Sequence, residues 1–298
     1  MSHIRTRPVQ RTVWTALLAV SLACTQLLAA PRSFIWKATG PRGGVVFLVG
    51  SVHLLTKDYY PLNPVFEASF EKADLLVEEV DMGEMLSPGS QALVAIRGLL
   101  PATESLDKVL SPATYAAARK TLAGSGIPID ALKRLKPWSL ALTLQALEWQ
   151  KAGFDADLGL DKHFYDLAKA KGKEVEGLET LEFQVSRFDG MPMELQDRLL
   201  LSTLKELETT VPSFTRLANA WRDGDVPVVE NAVLEDLKSE PQMYERLLVE
   251  RNRTWLPRIE RLFSRAKSAF VVVGAAHLVG TDGLLQMLKS RGYTIEQL

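Results

Sequence analysis

The same short phrase occurs twice in this chain, near its two ends: Phe47-Leu48-Val49-Gly50-Ser51-Val52-His53-Leu54 and Val271-Val272-Val273-Gly274-Ala275-Ala276-His277-Leu278. Each copy is an apolar run closed by Gly-x-x-His-Leu. A run rich in β-branched residues that stops at a glycine reads as a buried strand entering a tight turn. The histidine three residues on then sits just past the strand's carboxyl end, where open α/β sheets place their ligand sites. The chain holds four histidines. His3 falls in a leader segment, and His163 lies in a helical pattern without repeated context and reads as a surface residue. The other two occupy equivalent places after equivalent strands, so His53 and His277 read as members of one site, with Gly50 and Gly274 as the points where the backbone turns or approaches a ligand.

The rest of the pattern builds a frame around these two strands. Strand signals fall at 34–37, 45–50 and 75–80, return at Val175 and at 269–273, and close the chain at 293–295. Between them a 3.6-residue period dominates. It predicts a helix started by Pro61-Leu62-Asn63-Pro64 and running through Phe66 and Phe70, and another from Pro137 with Leu140, Leu144 and Leu147 on one face. Further helices are expected over 160–170, 194–207, 214–221 and 243–262, the last kinked or split at Pro257. The expected architecture is a single α/β domain over 31–298. Its central mixed or mostly parallel sheet carries the two Gly-x-x-His turns, and a large helical insertion forms a subdomain at about 85–260.

Composition narrows the class. With 298 residues, 47% of them hydrophobic and 24% charged, the chain is globular, and its formal net charge of −1 carries no basic stripe of the kind nucleic-acid binders need. The first thirty residues stand apart: Arg5, Arg7 and Arg11 precede an apolar stretch from Val13 to Ala23, and small residues follow at Ala29 and Ala30. That is the layout of a secretory signal, so the protein is expected to be exported to the periplasm, with lipid anchoring through Cys24 as the alternative. Cys24 is the one cysteine of the chain. The domain beyond the leader therefore has no thiol for a disulfide, a thiolate metal site or a cysteine nucleophile.

Seven phrases, in order, carry a resemblance: Gly50-Ser51-Val52-His53, Tyr60-Pro61-Leu62, Glu79-Val80-Asp81, Gly159-Leu160-Asp161, Gly177-Leu178-Glu179-Thr180, Glu250-Arg251-Asn252 and Gly274-Ala275-Ala276-His277-Leu278. Together they resemble the TraB/GumN family across nearly the whole chain after the leader. The resemblance implies an α/β fold related to the Tiki proteases and the erythromycin esterases, with His53, His277 and Glu79 at the active centre. Peptide substrates are implied by the resemblance alone.

The chemistry of that trio can be read from the residues. Two neutral imidazoles and a carboxylate make the ligand set of an open catalytic metal site, in which a bound water is made acidic; Zn²⁺, Mn²⁺ and Co²⁺ all suit such nitrogen and oxygen donors. Glu79 closes the 75–80 strand on a buried face, where a carboxylate is costly unless paired or ligating, and Glu78 takes the role if the register differs by one. Arg251 is the candidate to neutralise an oxyanion or hold a substrate carboxylate. Asp161 suits a helix N-cap, while Glu179 suits a supporting or alternate acid, and Asn252 joins them as a supporting residue. No Gly-x-Ser-x-Gly elbow, phosphate loop or dinucleotide fingerprint is present. Three functions fit: an exported metal-dependent hydrolase acting on peptides, a metal-independent esterase or amidase with His53 as base, and a non-catalytic protein that sequesters peptide signals.

Overall fold

Strand β5, Ala269–Gly274, is buried at every position and is the middle of the molecule. A strand covered on both faces needs no polar alternation, which is why Ala-Phe-Val-Val-Val reads as one apolar run. In the computed structural model, which describes residues 32–207, 210–265 and 268–298, β5 lies between β2, Val45–Ser51, and β3, Leu75–Glu78, parallel to both. β4, Glu174–Gly177, extends the parallel set beyond β3. β1, Ile35–Thr39, runs antiparallel to β2, and β6, Thr294–Gln297, pairs antiparallel with β1, giving the order β4-β3-β5-β2-β1-β6. The sheet is mixed and mostly parallel, as expected from the sequence. The edge strands β4 and β6 alternate half-buried and exposed residues because water covers one face.

This topology brings the two copies of the repeated phrase together. β2 and β5 are adjacent, with Gly50 opposite Val273 and Ser51 opposite Gly274, so both histidine turns leave the same edge of the sheet. β3 flanks β5 on the other side, with Glu78 opposite Val272. The strand ends at Glu78, and Glu79 and Val80 form the bend after it.

The helical insertion comes in two stretches, because β4 returns to the sheet between them. The helix Pro137–Lys151 buries Leu140 and Leu144 in a satellite cluster with Leu106, Leu122 and Leu200, apart from the main core around the sheet. The last long helix, Glu250–Leu262, runs unbroken through Pro257. The expected break falls earlier, in a wide π-type turn over Glu245–Val249, which delivers Arg251 and Asn252 to the sheet edge. Such turns reorient the residues that follow them. Among the described residues no helix is long and apolar enough to cross a membrane. The leader, with Cys24 and His3, lies outside the described residues.

Candidate functional site

His53 follows β2 and stands at the mouth of a cleft of about 370 Å³ at the sheet edge, lined also by Glu78, Glu79, Asp161 and Gln184. Its partner is Asp161, whose Oδ2 lies 2.8 Å from His53 Nδ1. Asp161 is in the first turn of the helix Leu160–Lys171, but the N-cap of that helix is Gly159 and no side chain caps it. The cap expected of Asp161 is therefore absent, and its carboxylate turns instead to the histidine, with Ser51 Oγ donating to Oδ1 at 3.0 Å. The Leu160 N–H bonds to Val52 O, so the helix start is docked on the histidine turn itself. With Nδ1–H committed to a carboxylate, Nε2 is left for the cleft. The Asp161 charge raises the His53 pKa to about 9, and the side chain is 59% exposed, so water screens part of that attraction.

Glu79 is held from three sides. Its Oε1 accepts the Gly274 N–H at 2.7 Å, while Oε2 accepts Gln184 Nε2 at 3.1 Å and Arg251 Nη2 at 2.5 Å. Burial alone would raise its pKa, but Arg251, the two histidines and the Gly274 N–H outweigh that and hold the carboxyl well below the usual range. Its neighbour Glu78 is the opposite case. Glu78 is 2% exposed, its Oε2 accepts the Met82 N–H, and its Oε1 has no partner, so burial pushes it up to about 8. Two adjacent carboxyls thus carry different charge at neutral pH.

His277 is not in the cleft. It is buried behind Glu79, its ring tilted at 46° against Trp255 with 4.4 Å between ring centres. Asn252 fixes its tautomer: the Asn252 amide nitrogen donates to His277 O and Asp282 O, which leaves Oδ1 to accept from His277 Nδ1 at 2.7 Å. The bare Nε2 then accepts from Arg251 Nη1 at 3.0 Å. Burial lowers the His277 pKa to about 3, so the ring is neutral.

Arg251 joins these groups and has no donor to spare. Its Nε and Nη2 bond to Glu179, Nη2 also to Glu79, and Nη1 to Leu247 O and His277. A guanidinium carries five N–H hydrogens, and this pattern uses all five. The expected reach of Arg251 towards an oxyanion or a substrate carboxylate is therefore replaced by a clasp. Glu179 completes it, accepting also from Trp255 Nε1 at 2.8 Å. Glu179 comes to this place because its N–H bonds to Glu79 O, continuing the β3–β4 ladder one step past the strands.

The two glycines are needed for approach. A Cβ on Gly274 would stand 3.2 Å from Glu79 Oε1, 3.4 Å from His53 Nε2 and 3.7 Å from His277 Cδ2, so the three sequence candidates do surround one point. A Cβ on Gly50 would meet the Phe34 ring at 2.4 Å. The residues expected to hold a metal lie at the same corner. The donor types suit a divalent ion, but the lone pair of His277 Nε2 and one Glu79 oxygen are given to Arg251. Among the described residues no three His, Cys, Asp or Glu side chains are grouped as ligands; His53 Nε2 and Glu79 Oε1 face one point, while His277 Nε2 is bonded to Arg251.

Sequence reasoning missed Gln184, which nothing in its surroundings marks, and Trp255, which sits one turn after Arg251 and lies under its guanidinium at 4.6 Å. His163, expected at the surface, is partly buried between Tyr60 and Phe164, its Nε2 making no hydrogen bond and lying 3.9 Å from Glu67 Oε1. It takes no part in the cleft.

A mostly parallel sheet whose carboxyl edge gathers a His–Asp pair and a clasped carboxylate defines an α/β protein with a polar cleft at that edge. The sequence profile of the TraB/PrgY/gumN family matches residues 34–297, and the chain belongs to that family. It is 27% identical over 286 residues to uncharacterized protein YbaP of Escherichia coli (strain K12), covering 94% of this chain and 97% of that protein, and is equally similar to uncharacterized protein YbaP of Shigella flexneri. No solved structure matches the chain.

Proposed function

We propose that the protein is a hydrolase in which His53, oriented by Asp161, removes a proton from the water that attacks an amide or ester carbonyl, with peptides as the substrate class. The observation that carries this reading is the 2.8 Å contact between His53 Nδ1 and Asp161 Oδ2 at the mouth of the cleft. A base must be fixed in one tautomer with its other nitrogen open to the substrate, and a carboxylate on Nδ1 supplies both that and stabilisation of the imidazolium formed. The ionised Glu79 beside it adds to that stabilisation. Arg251, His277, Glu179 and Asn252 touch no substrate in this scheme; they hold Glu79 charged and in place. The leader is read as an export signal, which puts the enzyme in the periplasm.

A metal-dependent form of the same hydrolase is the second reading. It is favoured by one observation: both histidines have Nδ1 tied to an oxygen, the arrangement that tunes imidazoles as ligands. It requires Arg251 to give up His277 and Glu79. A mixed peptide library, incubated with the chain beyond the leader after exhaustive chelation and analysed by mass spectrometry, tests the proposal. Cleavage by the wild type and none by His53→Gln is expected. Binding without cleavage would favour the sequestering role, and cleavage only after Zn²⁺, Mn²⁺ or Co²⁺ is returned would favour the metal form.

A further inference from the structure

The cleft has two unlike walls. One is charged: Asp157, Asp161 and Lys162 come from the segment that starts the helix Leu160–Lys171. The other comes from the bend after β3 and the short helix Met82–Met85, and it presents Val80, Met82, Met85 and Leu86. This helix buries none of its residues in the core, and Leu86 at its C-cap is 47% exposed. Val80 and Met85 anchor this wall by packing against Trp138, Leu181 and Val185, while Met82 and Leu86 stand free of that cluster at the rim; large apolar side chains left at the rim of a site mark a surface kept for a ligand. Methionine suits such a wall, since its unbranched thioether adapts to different partners. Polar anchors stand beside it: Glu78 lines the same cleft, with Oε1 buried and unpartnered, and Gln184 projects from the helix Leu181–Asp189.

We infer that the wall formed by Val80, Met82, Met85 and Leu86 selects the substrate, which carries a large apolar side chain next to the bond that His53 addresses. The inference rests on the hydrolase reading for the word substrate, though the pocket can be tested without turnover. The apolar side chain lies against the methionines, and the amide group of the same residue supplies the hydrogen bond that Glu78 Oε1 lacks. An acidic side chain placed there would lose water without gaining a partner, because Lys162, the cation of the cleft lining, is paired with Asp166.

The test uses N-acetyl-leucine amide and N-acetyl-aspartate amide as probes, with binding to chelated wild type and to His53→Gln followed by NMR shifts. Leu86→Lys is the informative variant. It alters an exposed residue at a helix C-terminus, where a cation is tolerated, and thermal unfolding confirms that it is folded. The leucine probe is expected to bind about tenfold more tightly than the aspartate probe in both proteins, in keeping with burial of one apolar side chain. Leu86→Lys is expected to abolish or reverse that preference, and Met82→Ala to weaken it. Equal binding of both probes, or an unchanged preference in folded Leu86→Lys, overturns the inference. Leucine-selective binding by a protein that cleaves nothing would leave the pocket standing and remove the hydrolase reading. Cleavage at sites flanked by charged residues would do the reverse.

Discussion

Asp161 Oδ2 lies 2.8 Å from His53 Nδ1, although the two residues belong to different elements and one of them is in the first turn of a helix. The helix start is docked on the histidine turn through Leu160 N–H and Val52 O, so the pair is set by backbone geometry. Asp161→Asn keeps the shape and removes the charge that raises the His53 pKa. NMR titration of the His53 ring is expected to show a lower pKa in the variant than in the wild type. A pKa that does not move would mean that the carboxylate has no hold on the imidazole.

The same charge sets a pH dependence. A base is active only when unprotonated, so with a pKa raised from 6.5 towards about 9, activity should climb as pH rises through that window. In Asp161→Asn the ascending limb should move to lower pH while the maximal rate falls. A pH–rate profile on both proteins checks it, and a limb that stays put would detach the rate from His53.

Glu78 makes a prediction about stability. Its folded pKa of about 8 lies above its unfolded value of 4.5, so it binds a proton more tightly when folded. Its contribution is fully present below pH 4.5 and is lost as pH rises through about 8. Glu78→Gln carries the neutral shape at all pH values. Denaturant midpoints should show the variant gaining on the wild type by roughly 1–3 kcal/mol between pH 5 and 8, with the gap closing in acid. A gap that is the same at every pH would mean that Glu78 is ionised in the fold.

Arg251 is a clasp, and a lysine cannot replace it. Three donors on a flexible stem cannot meet Glu79, Glu179, His277 and Leu247 together. Arg251→Lys should cost about 2–4 kcal/mol in denaturant unfolding, since two buried carboxylates lose most of their pairing. His277→Ala should cost a similar 2–4 kcal/mol, because it leaves Asn252 Oδ1 and an Arg251 N–H buried and unpartnered. Val272→Ala should cost about 1–3 kcal/mol through lost burial alone. Wild-type stability in His277→Ala would return that residue to the solvent-reached site that the sequence suggests.

Much of this was legible in the sequence, for reasons that can be named. β2, β3 and β5 are read from their apolar runs because parallel strands buried on both faces leave a continuous signature, and adjacency of β2 with β5 brings the repeated phrases to one edge. Glu79, Glu179, Arg251, His277 and Asn252 form one hydrogen-bonded network, and His53 and Asp161 form a separate pair beside it. Their depth was not legible. Both histidines follow a strand and a glycine, yet one is open and the other sealed, because the helix Glu250–Leu262 covers only the second. Asp161 looked like a cap since the first turn of a helix is where an aspartate caps; only the path of the His53 turn shows why it faces elsewhere. Gln184 and the methionine wall lie on helices whose docking no local pattern announces.

The central claim is that His53 supplies the base without help from a metal. Its most direct measurement is kcat/KM on a cleaved peptide with apolar side chains, for wild type and His53→Gln, both freed of metal by chelation and both shown to be folded. The prediction is that the chelated wild type keeps its rate and that His53→Gln loses about 10²–10⁴-fold, the usual contribution of a positioned base. A wild type that falls silent on chelation and recovers with a divalent ion, or a His53→Gln variant that cleaves as fast as the wild type, would contradict it.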